Sequence, residues 1–196
     1  MPGWCGKLLR VDLNRARVEE IALDLEVARS YIGGRGLGIR HLLDEVDPGT
    51  DPMGGNNDLV MATGPLTGTP APTAARYMVM TRSPLTRAVT CSNSGGHFPA
   101  ALKRAGWDAI VFKGRSLEPV YLWVDGDKVE LRTARHLWGK NVPDTDEALR
   151  SETDSGARTA VIGPAGEAGV PFASIMNDRH RAAGRSGVGA VMGAKN

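Results

Sequence analysis

The sequence predicts a mixed fold of helices and strands built on an internal repeat. Three observations carry this reading: two hairpin patterns, helices that open on glycine, and a strand, Gly-Pro turn, strand, helix order that occurs twice. The chain has 196 residues, 41% of them hydrophobic and 23% charged, so it can bury a core of ordinary globular size. Its 25 Gly and 12 Pro predict many turns and close backbone approaches.

"KLLRVDL" and "RVEEIAL" alternate apolar and polar around Asn14-Arg15-Ala16, the pattern of a hairpin with one wet face. "VARSYIGGRGLGIRHLLDEVDPG" predicts a short helix, a break at Gly33-Gly34, and a helix from about Leu37 to Val46 stopped by Asp47-Pro48-Gly49. "LVMAT" and "RYMVMTR" predict strands on either side of a Gly/Pro-rich turn. "SNSGGHFPAALKRAGW" predicts a helix opened by Gly95-Gly96, with Phe98, Ala101, Leu102 and Ala105 on one face and Gly106 at its C-terminal cap. "DAIVFKG" closes that unit as a strand, and "PVYLWVDGDKVELRTA" predicts a hairpin turning at Asp125-Gly126. An amphipathic helix is expected from about Asp144.

The last third follows the middle in outline. "VMATGPLTGTP" corresponds to "AVIGPAGEAGVP", "RYMVMTR" to "FASIMND", and the Gly95-Gly96 helix to one opened at Gly184. The whole chain, 1–196, reads as one domain with copies at about 58–114 and 158–196. The second copy has no counterpart of "DAIVFKG", so it reads as truncated.

Charge and composition narrow the partners. A net charge of +2 and 5% aromatics are too little for a nucleic-acid surface. No apolar run approaches a membrane span and the N-terminus carries no signal-peptide pattern, which predicts a cytoplasmic protein. Cys5 and Cys91 are lone cysteines, the pattern of unpaired thiols in a reducing compartment. His41, His97, His136 and His180 are scattered, with no metal-ligand spacing. The glycines of "GGRGLG" do not fit a dinucleotide fingerprint and follow a helical stretch, which favours tight packing or a close ligand approach.

Two segments could grip an anion, one in each copy. Asn93-Ser94-Gly95-Gly96 stands at an expected helix start with Arg76 on the preceding strand, and the second grip runs from Arg181 to Gly187 at another. Helix N-termini offer unpaired N–H groups, glycine lets a ligand approach them, and arginine adds a forked donor for phosphate. The pattern suggests a ligand with two anionic ends, or two anionic ligands. It names no reaction.

The chain resembles the N-terminal domain of the tungsten-containing aldehyde:ferredoxin oxidoreductases along essentially its whole length. The resemblance rests on "GGRGLGIRHLLDEVDP", "TGPLTGTPAP", "RSPLT" through "SNSGGHFPAALKRAG", "IGPAGE" and "NDRHRAAGRSGVGAVMGAKN", in that order. It implies an α+β unit of two similar sheet-based halves, forming a cradle for a tungsten (or molybdenum) bis-pterin cofactor. It implies cofactor contacts from Arg76, Asn93, Gly95, Arg181, Ala182, Gly184 and Arg185. It further implies a magnesium ion joining the two pterin phosphates, held partly by the backbone carbonyls of Asn93 and Ala182. Aldehyde oxidation, a [4Fe–4S] cluster and electron transfer to ferredoxin would depend on later domains, and Cys5 and Cys91 do not match the cluster's cysteines. This chain would then have no catalytic residues of its own and no activity alone. Exposed surfaces meant for those domains would favour a homo-oligomer. The competing reading is a stand-alone phosphate- or cofactor-binding module or scaffold subunit.

Overall fold

The computed structural model describes residues 3–196. The first hairpin forms where alternation places it, from β1 (Lys7–Asp12) and β2 (Arg17–Ala22), antiparallel with Asp12 opposite Arg17. Asp24 caps α1 (Leu25–Tyr31) by accepting from Glu26 N–H at 2.8 Å, and α2 (Arg35–Glu45) begins directly after the Gly33-Gly34 break. β3 (Leu59–Thr63), β4 (Tyr77–Arg82), β5 (Val89–Ser94) and β6 (Ala109–Lys113) follow, with α3 (Phe98–Arg104) between the last two. The six strands form one sheet in the order β2-β1-β6-β3-β4-β5, parallel only between β1 and β6.

β3 is buried on both faces, and its period-2 geometry divides the core. Leu59 and Met61 join Tyr77, Val79, Ile175 and Val188 on one side. Val60 and Ala62 join Leu42, Val46, Met80 and Val111 on the other, beneath α2. α2 lies so close to β4 that a Cβ on Gly38 would stand 1.8 Å from Met80 Cε. The glycines of "GGRGLG" therefore include a packing contact.

The second hairpin, β7 (Val120–Asp125) and β8 (Lys128–Thr133), turns at Gly126-Asp127 and forms a two-stranded sheet. α4 (Val142–Glu152) is capped by Asn141 and begins two residues before the start expected near Asp144. β9 (Ala160–Val161), the short helix α5 (Pro164–Glu167), β10 (Ile175–Asn177), β11 (Arg181–Ala183) and α6 (Val188–Ala194) complete the chain. β9, β10 and β11 form an antiparallel sheet in that order. The architecture is a mixed α/β fold.

Two expectations are corrected. Asn93 and Ser94 end strand β5 and do not begin a helix, and Arg181 and Ala182 lie in strand β11. "VTCSNS" and "RAA" are short and rich in small or polar residues, so ladder hydrogen bonds decide them where side-chain patterning gives no signal.

Lys195, after α6, is buried and donates to Gly114 O at 2.9 Å. Burial pulls its pKa down from 10.5 to about 8, with Asp58 opposing. In that window the unfolded chain holds a proton that the folded chain has released, so stability rises with pH, by at most about 1.4 kcal/mol per unit. The difference in urea midpoint between the parent chain and Lys195→Met is therefore expected to move in favour of the parent from pH 8 to 10. A pH-independent difference would contradict this.

Candidate functional site

β5 and β11 are the end strands of their sheets, and these two edges lie against each other. This seam gathers the residues singled out from the sequence. Arg76 enters β4, and its Nη1 donates to Asn93 Oδ1. Gly95 and Gly96 follow β5 and lie between two arginines. A Cβ on Gly95 would lie 4.0 Å from Arg76 Cγ, and one on Gly96 would lie 3.2 Å from Arg181 Cγ. Across the seam, Arg185 N–H donates to Ser92 Oγ at 3.1 Å, placing Arg185 beside the strand that carries Asn93. Ala182 and Gly184 lie between Arg181 and Arg185, exposed like both arginines.

The edge strands match in detail. Asn93 and Ala182 each stand one position before the end of their strand, opposite Met78 and Met176 respectively. Gly95 and Gly184 are the first residues beyond those strands. Arg76, Arg181 and Arg185 are exposed, and among the described residues none of the three pairs with a carboxylate. Three uncompensated guanidinium groups on one edge create a local positive field that the net charge of +2 conceals.

The pair of open helix tips expected from the sequence does not form. At α3, the N–H groups of His97 and Phe98 donate to Asp178 Oδ2 at 2.6 and 3.2 Å. At α6, Gly187 to Ala190 are buried, and Gly189 N–H donates to Ala173 O at 2.9 Å. The α6 start thus satisfies an amide inside the core, and the first two amides of the partly exposed α3 start are already taken by Asp178. The cationic part of the seam comes from strand ends and loops.

The residues that fasten the seam were not singled out from the sequence. Asp178, first after β10, binds the segment leading into α3. Ser83, first after β4, donates to Ser186 O at 2.8 Å in the segment leading into α6. The residue after β4 thus holds the segment entering α6, and the residue after β10 holds the segment entering α3. Asn177 Nδ2 adds a bond to Gly95 O at 2.8 Å, and Tyr77 OH donates to Asn177 Oδ1 at 3.3 Å. Burial and the nearby Asp178 carboxylate push the Tyr77 phenol well above its usual range, keeping it a donor. Aligning "SPLT" with "DRH", the segments that follow β4 and β10, would have pointed to Ser83 and Asp178.

Among the described residues no group of three or more His, Cys, Asp or Glu side chains could hold a metal ion. Both cysteines are free, Cys5 exposed and Cys91 half-buried. No helix among the described residues is long and apolar enough to cross a membrane.

The fold is shared with a solved oxidoreductase component. The active-site complex BamBC of benzoyl coenzyme A reductase, bound to 1,5-dienoyl-CoA, superposes with a TM-score of 0.96 and 41% identity. The match covers 98% of this chain and 30% of that chain. The family model for the aldehyde ferredoxin oxidoreductase N-terminal domain matches residues 8–196, and the chain belongs to that family. It is 53% identical, over its whole length, to a tungsten-containing aldehyde ferredoxin oxidoreductase of Pyrococcus abyssi, of which it spans 32%. It is 36% identical to an aliphatic sulfonate oxidoreductase, WOR-like subunit, of Pyrococcus furiosus, spanning 34% of it. The chain therefore spans about a third of the length of these curated relatives.

Proposed function

We propose that residues 1–196 are one domain, internally duplicated, that cradles a tungsten (or molybdenum) bis-pterin cofactor in an aldehyde:ferredoxin oxidoreductase. The observation that carries this reading is the β5–β11 seam, where Arg76, Asn93 and Gly95 of one half meet Arg181, Ala182, Gly184 and Arg185 of the other. The matched strand ends and the reciprocal Ser83 and Asp178 contacts support the duplication.

The residues present fit an anionic, two-ended group. Three exposed guanidinium groups without carboxylate partners offer forked donors for phosphate. Around Gly184 no protein atom comes nearer than 3.7 Å to an added Cβ, so the backbone there is open to a large ligand. Asp178 Oδ1, buried without a hydrogen-bond partner, is an acceptor and suits an N–H donor or a cation, not a phosphate. Arg76, Arg181 and Arg185 would neutralise phosphate charge, and the glycine backbones would let the pterin units lie close.

The backbone carbonyls of Asn93 and Ala182, at matched positions, would serve a magnesium ion that relieves repulsion between two phosphates. A carbonyl ligand is indifferent to side-chain identity, which accommodates alanine at one of the two places. When bound, the metal–pterin group supplies two-electron redox chemistry. This chain contributes position and charge, with no catalytic residue of its own. The [4Fe–4S] cluster, the acid and base groups and the ferredoxin contact belong to the rest of the enzyme, whose setting we take to be the cytoplasm. A homo-oligomer is compatible with this arrangement, and a net charge of +2 with 5% aromatics argues against a nucleic-acid partner.

The names of the relatives favour an enzyme domain over a stand-alone binding module, because the matching region is about a third of longer oxidoreductases. Relatives named for an aldehyde, a sulfonate and a coenzyme A thioester share this region, so substrate choice is set elsewhere.

Arg76→Ala tests the reading. A charge-assisted hydrogen bond contributes about 1.5–3 kcal/mol, so retention of the cofactor should fall roughly 10- to 100-fold. Metal analysis of the complete enzyme is expected to show depleted tungsten, with unfolding of the apo-protein nearly unchanged because Arg76 is exposed. Full metal occupancy would remove Arg76 from the cradle.

A further inference from the structure

The turn between β10 and β11 carries backbone strain at the seam. Asp178 and Arg179 stand side by side in the left-handed region, at φ 49° and 63°. An aspartate adopts that conformation at little cost, but an arginine there needs its surroundings to hold it. The turn is short, because Asn177 and Arg181 on either side of it pair as strand residues. Its shape therefore sets both the Asp178 carboxylate and the start of β11, where Arg181 stands.

The two strained residues are pinned from different elements. Asp178 is held by the amides entering α3. Arg179 is held from α4, where its Nε donates to Asp146 Oδ2 at 2.6 Å. Asp146 is buried, and its other oxygen accepts from Thr159 Oγ1 at 2.6 Å, just before β9. Two more charges stand near this pair: Arg150 Nη1 is 4.0 Å from Asp146 Oδ2, and Glu147 is 3.8 Å from Arg179 Nη2. Arg150 is occupied by Ser155 O, to which its Nε donates at 2.8 Å, so Arg179 is the cation that Asp146 meets at hydrogen-bond distance. Burial acts to raise the Asp146 carboxyl, yet Thr159, Arg179 and Arg150 outweigh it and hold it below the usual carboxylate range. The anchor therefore stays charged at neutral pH.

An ion pair that only fastened α4 to its neighbours would not need a partner in a strained conformation. Here that partner is adjacent to Asp178 and two positions from Arg181, both already on the seam. We propose that Asp146 is a positioning residue of the cationic seam, acting through Arg179 to fix the turn that seats Asp178 against α3 and sets Arg181 beside Gly96. Its consequence for cofactor retention rests on the function proposed above, whereas the seating of the turn does not.

Amide exchange at His97 and Phe98 reads the seat of Asp178 directly, since both donate to its carboxylate. In the complete enzyme prepared without cofactor, Asp146→Asn is expected to raise both rates at least about 10-fold while the amides of β3 keep theirs. Asparagine retains an oxygen for Thr159 and loses the charge that binds Arg179. Arg179→Met should have the same effect, and the double variant no more than either, because all three break one link. Arg179→Lys, which keeps a cation, should fall between Arg179→Met and the parent. Thr159→Val removes the other bond of Asp146; it should lower the urea midpoint and leave His97 and Phe98 unchanged.

Unchanged exchange in Asp146→Asn overturns the proposal. So do additive effects in the double variant, no gain from lysine over methionine, or equal acceleration by Thr159→Val, which would leave Asp146 a purely structural role. If Arg76→Ala keeps its tungsten while Asp146→Asn frees these amides, the cofactor reading falls and the positioning role stands.

Discussion

Asp108→Ala is expected to destabilise the folded chain by about 3–5 kcal/mol, the range for stripping one partner from a buried ion pair. Asp108 is wholly buried, and one carboxylate oxygen pairs with the largely buried Lys103 ammonium. The carboxylate also accepts from Gly6 N–H at 2.8 Å and Cys5 N–H at 3.1 Å. Its backbone carbonyl accepts from Thr63 N–H at 2.9 Å and Thr63 Oγ1 at 3.0 Å. One residue thus ties the entries of β1 and β6 to α3 and the end of β3. Alanine keeps the backbone bonds but leaves a buried ammonium and two amides without their acceptor. Urea unfolding measures the loss. Adding Lys103→Met should recover a large part of it, because much of the penalty is the unpaired charge. A loss below about 1 kcal/mol for Asp108→Ala, or no recovery in the double variant, would show that water satisfies these groups.

The parts legible in the sequence were those whose side chains report their surroundings. β3 reads as a buried strand because all five of its residues face core, and both hairpins read from alternation and turn residues. β5 and β11 did not read, because an edge strand of small residues is held by its ladder and by its neighbour across the seam. The site residues were singled out as two glycine-bearing, arginine-flanked segments, their cofactor roles came from a resemblance carried by five motifs in order, and the structure gathers them on one seam. The physical reasoning attached to them needed revision. Glycine before a helix suggested an amide cradle, yet the α3 amides are taken by Asp178, about 80 positions along the chain. No local pattern announces a cap supplied from that distance.

Gly96→Ala is the sharpest test of how the seam is built, with an expected loss of about 2–4 kcal/mol in the cofactor-free chain. Gly96 stands at φ 103°, where a side chain is strained, and its added Cβ would lie 2.2 Å from Asp178 Oδ2. The carboxylate would have to move, withdrawing the cap from His97 and Phe98, and a lost N-cap alone costs about 0.5–2 kcal/mol. The neighbours supply the controls. Gly95 is not in the left-handed region, and a Cβ there would meet Ala75 O at 3.3 Å and Arg76 Cγ at 4.0 Å, while around Gly184 the nearest atom is 3.7 Å away. Gly95→Ala and Gly184→Ala should therefore unfold close to the parent in urea while losing tungsten in the complete enzyme, because their methyl groups occupy ligand space. Gly96→Ala should be impaired in both measurements, and Asp178→Gly beside it should relieve the clash without restoring the cap. If all three alanine variants unfold alike, the clasp around Asp178 does not hold β5 and β11 together, and the arginines of the seam must owe their convergence to the buried core beneath it.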